Sequence, residues 1–200
     1  LSAVDGTGDS IAGIVPLTMK AEVLALDSVR NRLYFAYGTS ACGCVGIVDC
    51  AQNVVTSYMY AGTGPRAMCY NPNNDRLYWR SGVRSMTVYD CSTNTTIDTV
   101  KTSGDAKVAR LHLGLNKLYT YGHDVLGNDI IDVIDCERDS VIQSVVLPAE
   151  GSHYELLLVP EDNTLWHLST RSVVVLDCRG DSIIYAAPDT LGSMNDACAC

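Results

Sequence analysis

Val88-Tyr89-Asp90-Cys91-Ser92-Thr93-Asn94 decides the reading of this chain. An apolar run ends in Asp-Cys, and Asn follows after two further residues. The stretch recurs as Ile47-Val48-Asp49-Cys50 with Asn53, Val133-Ile134-Asp135-Cys136 with Asp139, and Val175-Leu176-Asp177-Cys178 with Asp181. A degenerate copy, Ala3-Val4-Asp5-Gly6 with Asp9, stands near the start. Successive Asp residues lie 44, 41, 45 and 42 positions apart. A second pattern keeps step: Arg32-Leu33-Tyr34, Arg76-Leu77-Tyr78, Lys117-Leu118-Tyr119 and Thr164-Leu165-Trp166. Two independent patterns on one period identify an internal repeat.

Each repeat reads as four short strands. In the clearest copy Ala67 to Tyr70 is an apolar run, and Asn71-Pro72-Asn73-Asn74-Asp75 is a turn cluster whose proline blocks a helix. Arg76 to Arg80, Ser85 to Asp90 and Thr95 to Lys101 supply the other strands, the last rich in β-branched residues. No apolar stripe of helical period persists for three turns. The motif aspartates Asp49, Asp90, Asp135 and Asp177 read as turn formers, each accepting backbone N–H bonds two residues on.

An antiparallel unit of this size matches a propeller blade, which cannot bury both faces alone and must stack on neighbours. The expected fold is therefore an all-β propeller of about five four-stranded antiparallel blades, four complete and one split between the termini. Tyr34, Tyr78, Tyr119 and Trp166 are expected to wedge between blades. One domain spans residues 1–200, with units at about 1–17 (partial), 18–60, 61–103, 104–148, 149–189 and 190–200 (partial). The split blade is one strand short. That suggests a larger propeller, a trimmed chain, or strand completion by another chain.

The order Asn-Pro-x-x-x-Arg-Leu-Tyr, then an apolar run ending in Asp, then Asn and a β-branched strand, resembles the YVTN-type repeat of YncE-like and surface-layer-like bacterial propellers. The likeness covers nearly the whole chain. The name-giving stretch is altered to Tyr34-Phe35-Ala36-Tyr37, Tyr78-Trp79-Arg80-Ser81 and Tyr119-Thr120-Tyr121-Gly122, and Cys replaces the usual Thr after Asp. The resemblance implies fold rather than activity, because its residues are turn and packing residues.

Composition narrows the function. The 200 residues are 47% hydrophobic and 18% charged, enough apolar material for a core. No apolar run approaches the ~18 residues of a spanning helix. The opening Leu1-Ser2-Ala3-Val4-Asp5-Gly6 has no basic n-region and no long apolar stretch, so it is not expected to be a signal peptide itself, which leaves open a mature chain that has lost one. A formal charge of −9 repels phosphate backbones and anionic lipids, so neither nucleic acid nor membrane insertion is expected.

Of nine cysteines, Cys50, Cys91, Cys136 and Cys178 follow the repeat and are too far apart around a ring to pair with one another. They read as small buried side chains, with a blade-to-blade disulfide to another cysteine as the competitor, Cys69 and Cys198 or Cys200 lying on first strands whose ends fall on the same face. Cys42-Gly43-Cys44, in the loop before a third strand, and Cys198-Ala199-Cys200 fall on opposite faces. They do not form one metal site. No H-E-x-x-H, G-x-S-x-G or P-loop is present, and neither metal nor cofactor is expected.

Ligands of propellers bind where the first strands begin. Aligned on the Arg-Leu-Tyr signal, that point carries Glu22, Arg66, Lys107 and Tyr154, with Asp196 joining from the tail and His153 adjacent. His112 ends a first strand, His123 lies in a loop and His167 on a second strand, leaving His153 as the histidine nearest the mouth. The leading expectation is a non-catalytic binding or scaffolding module, exported or at the cell surface. Its partner would be a protein or glycan, or a small anionic or sugar-like ligand at the mouth. The alternative is a propeller enzyme such as a lactonase-like hydrolase at the same mouth, drawing on Glu22, Asp196 and His153.

Overall fold

In a computed structural model of the chain, Asn and Asp make both corners at one end of every repeat. The structure describes residues 1–5, 10–17, 19–38, 42–148 and 153–188. Asn31, Asp75, Asn116 and Asn163 turn the first strand into the second with left-handed backbone, and Asn53, Asn94, Asp139 and Asp181 turn the third into the fourth. Asn and Asp enter this region more readily than other side chains bearing a Cβ. The two corners are tied together. The N–H groups of Cys50, Cys91, Cys136 and Cys178 donate to the carbonyls of Asn31, Asp75, Asn116 and Asn163 at 2.8 to 3.0 Å. The motif carboxylates close the second corner. Asp49 accepts from Ala51 and Gln52, Asp90 from Ser92 and Thr93, Asp135 from Glu137, and Asp177 from Arg179 and Gly180.

These corners organise eighteen strands among the described residues. β1 (Ser2–Asp5) and β2 (Ser10–Ile14) form a two-stranded hairpin. Blade 1 comprises β3 (Val23–Asp27), β4 (Arg32–Gly38), β5 (Gly43–Asp49) and β6 (Val54–Gly62). Blade 2 comprises β7 (Met68–Asn71), β8 (Arg76–Gly82), β9 (Ser85–Asp90) and β10 (Thr95–Lys101). Blade 3 comprises β11 (Val108–His112), β12 (Lys117–His123), β13 (Asp129–Asp135) and β14 (Ser140–Val146). Blade 4 comprises β15 (His153–Val159), β16 (Thr164–Ser169), β17 (Ser172–Asp177) and β18 (Ser182–Pro188). Each blade is an antiparallel meander in sequence order. The first strands β3, β7, β11 and β15 lie side by side.

The fourth strand of every blade bulges at one register position. Thr56, Ile97, Ile142 and Ile184 are each left unpaired opposite the third strand, as is Ala12 in the β1–β2 hairpin. The hairpin therefore has the register of a blade's outer half.

The core lies between blades rather than inside any one of them. Tyr34, Ala36, Val45 and Ile47 of blade 1 pack on Met68, Leu77, Trp79 and Cys91 of blade 2. Tyr78, Met86 and Val88 of blade 2 meet Leu118, Ile134 and Cys136 of blade 3. Tyr119, Tyr121 and Ile131 of blade 3 meet Leu156, Leu165, Val174 and Cys178 of blade 4. Val15, with Leu1 and Leu17, covers Phe35 and Val48 of blade 1. A strand buried on both faces can carry apolar residues at successive positions, as Val173 to Leu176 do in β17.

Three local expectations change. The first strand of blade 2 begins at Met68 rather than Ala67, because Ala67 has a positive φ of 38° and turns the chain into the blade. Cys44 lies inside the third strand β5, not in the loop before it. Trp166 sits on the second strand β16 but is not wedged as the tyrosines are. It stays 38% exposed, with its indole N–H on Thr164 Oγ1 at 3.1 Å. The repeat cysteines Cys91, Cys136 and Cys178 are buried between blades, and Cys50 is half-buried. Burial pushes the Cys136 thiol up to about 12 and that of Cys91 to about 11. Cys69, whose thiol burial also raises to about 11, packs against the cluster that holds Cys136 without bonding to it. Cys198 and Cys200 lie outside the described residues.

Candidate functional site at the channel mouth

First and second strands run antiparallel, so the start of one and the end of the other meet at the same end of a blade. That end is opposite the Asn/Asp corners. Glu22 and Lys107 are fixed there by backbone bonds to the second strand: Glu22 N–H donates to Ala36 O at 2.8 Å, and Lys107 N–H to Tyr121 O at 2.7 Å. Gly62 sets the close approach of blades 1 and 2. Its φ is +83°, a Cβ there would collide with the Ser81 carbonyl, and Thr63 N–H donates to that same carbonyl at 3.1 Å.

Glu22, Arg66 and Lys107, one from each of three successive blades, share a cavity of about 450 Å³ with Lys20, Ala21, Val23 and Ala67. Arg66 Nε lies 4.0 Å from Glu22 Oε2, a loose and exposed pair that leaves the guanidinium largely available. A neighbouring cavity of about 480 Å³ shares Glu22 and Arg66 and adds Arg80 and Asp105, which face each other at 4.0 Å. A third of about 300 Å³ runs from Lys107 to Arg110 and Glu155, paired at 2.6 Å. His153 and Tyr154 open β15, but their side chains, and all of Asp196, lie outside the described residues.

The mouth holds charged residues that the sequence reading did not single out. Arg80 and Arg110 stand on β8 and β11, Asp105 precedes β11, and Glu155 lies on β15. His123 is the larger omission. It is not in a loop: it ends β12, opposite Asp129 in register. Its Nδ1 lies 2.8 Å from Lys107 Nζ, and its Nε2 lies 2.9 Å from Asp129 Oδ1. A lysine ammonium only donates, so Nδ1 accepts and Nε2 carries the proton given to Asp129. Tyr121 OH donates to the same carboxylate oxygen at 2.6 Å, and burial together with Asp129 drives the phenol pKa up. His153 is thus not the only histidine at this end of the molecule. The alternation of strand direction was the signal for His123, since any residue closing a second strand falls beside one opening a first strand.

The other two histidines are packing residues. His112 ends β11 and accepts from Leu115 N–H at 3.3 Å, while His167, fully buried, stacks on Tyr121 at 4.7 Å. Among the described residues no helix is long and apolar enough to cross a membrane.

The class of protein defined by this arrangement is a β-propeller. No family model matches the chain, and no curated protein does. Among solved structures it is similar to "Kuenenia stuttgartiensis Hydrazine Synthase", with a TM-score of 0.78 at 16% identity over 93% of this chain. The chain spans 59% of that one's length. At this identity the likeness shows the fold alone.

Proposed function

We propose that this chain is a non-catalytic propeller module that binds a small anionic ligand, such as a carboxylate or sugar acid, at the channel mouth. One observation carries the reading. The 450 Å³ cavity is lined by Lys20, Arg66 and Lys107 against the single acid Glu22, on a chain whose formal charge is −9. Cations gathered against the sign of the whole surface create a local attraction for anions and a repulsion everywhere else. The cavity is within the size range of small-molecule sites. The YVTN-type resemblance of the repeat supports an exported or cell-surface setting, where such a module would present its mouth to solutes or glycans.

Isothermal titration with sulfate, and then with a panel of small carboxylates and sugar acids, tests the reading. Saturable binding is expected in the wild type and at least a tenfold loss in Arg66→Gln, a change of about 1.4 kcal/mol or more. Equal binding by both proteins, or no binding to any of these anions, rejects it.

A further inference from the structure

The geometry points to a proton-controlled anion site, in which His123 holds Lys107 back from the mouth when neutral and releases it into the mouth when protonated. This inference rests on the reading of the mouth as an anion site and adds its regulation.

Lys107 belongs to two environments at once. Its side chain lines the cavity shared with Arg66 and Glu22, yet its ammonium is drawn 2.8 Å from His123 Nδ1. That bond exists only while Nδ1 has a free lone pair. Protonation adds an N–H to Nδ1, removes the acceptor, and sets an imidazolium against an ammonium. Both groups cannot keep these positions. The imidazolium is the one held, because its Nε2–H remains on Asp129, whose side chain is 6% exposed and also takes the Tyr121 hydroxyl. Lys107 has a flexible stem and an open cavity beside it, so it is the group that moves.

The charges around His123 favour this direction. From its own strand it meets Tyr121, from β13 Asp129, and from the segment before β11 Lys107. Asp105 accepts the His123 backbone N–H at 2.8 Å and is itself faced by Arg80 of blade 2. Asp124 follows in sequence but is occupied by the N–H groups of Leu126 and Asn128. His167 of blade 4 reaches the cluster through its stack on Tyr121. Lys107 is therefore the only cation that the geometry places against the imidazole ring among the described residues. Histidine ordinarily titrates between pH 5 and 8. The mouth gains positive charge on acidification, and a bound anion meets Lys107 as well as Arg66.

Sulfate is the probe, because its charge is constant from pH 5 to 9. Titration of the wild type should show affinity rising about tenfold between pH 8 and pH 5.5, as expected for one added close charge at a partly solvated site. In His123→Asn the amide oxygen still accepts from Lys107 but does not titrate, so the ratio between the two pH values should fall below about twofold. Arg66→Gln should lose binding at both. Sulfate binding that is equal at both pH values in the wild type overturns the switch and leaves the anion site standing. No binding at either pH overturns the anion site and the switch together. An NMR titration of the His123 ring gives a ligand-free check: Lys107→Met should move its midpoint to higher pH. An unmoved or lowered midpoint overturns the contact on which the switch depends.

Discussion

The interface between blades 1 and 2 and the two that follow it are assembled from the same parts but close differently. Between blades 2 and 3, Arg76 and Tyr78 both reach the Asp139 carboxylate and the Cys136 carbonyl. Between blades 3 and 4, Lys117 and Tyr119 reach Asp181 and the Cys178 carbonyl in the same way, at 2.6 to 3.1 Å. Between blades 1 and 2 the corner residue is Asn94 instead of Asp. Arg32 holds it only at 3.4 Å, and the buried Tyr34 hydroxyl has no hydrogen-bond partner. The ion pair has moved along the rim, where Arg30 pairs with Asp75, which also accepts from Tyr70 OH at 3.0 Å. An amide lacks the charge that draws a cation and a phenol to one point. Exchanging a carboxylate for it dissolves the clamp without disturbing the corner, since both residues accept left-handed backbone.

Making the later interfaces like the first one should have the largest effect. Asp139→Asn or Asp181→Asn leaves the backbone corner intact but strands a half-buried cation and a buried phenol. Each should lower unfolding free energy by about 2–3 kcal/mol in urea denaturation. Tyr78→Phe and Tyr119→Phe remove one hydroxyl from a satisfied clamp and should cost about 1–1.5 kcal/mol, whereas Tyr34→Phe removes an unpartnered one and should change stability by less than about 0.5 kcal/mol. Equal losses at all three tyrosines would erase the distinction between the interfaces. The reverse substitution, Asn94→Asp, offers Tyr34 and Arg32 the missing carboxylate and should gain about 0.5–1 kcal/mol.

The smallest effect concerns the exposed corner itself. The Ser92 hydroxyl, then the Thr93 and Ser92 N–H groups, hold the Asp90 carboxyl down to about 2 from an ordinary 3.8. A lowered folded-state value means stability that is complete above pH 3.8 and is lost as pH falls towards 2. Acid unfolding of Asp90→Asn should therefore be slightly shallower through that window. An identical profile would show that the corner contributes nothing through its charge.

The repeat made much of this legible. Ser85–Asp90 and Thr95–Lys101 are the third and fourth strands at the boundaries that the alternation and the turn residues give. The bulges were not legible, because Ile97, Ile142 and Ile184 are β-branched like the paired residues around them and nothing in composition marks them. The mouth was partly legible. Alignment brought out Glu22, Arg66 and Lys107, which share a cavity, because a position that varies in charge against apolar neighbours stands out. His123 stayed hidden because its flanking Gly122 and Asp124 look like a loop, and only pairing with Asp129 extends the strand to it.

The recurring irregularity of the fourth strand also bears on how these molecules tolerate one another in a crowded solution. A blade's rim is its only lateral border, and a flat border of free amides and carbonyls invites a foreign strand to add on. Displacing one residue at the same place on each successive rim coils that border away from the plane a visitor would need. The outer edges of the four blades are thereby less inviting to other sheets.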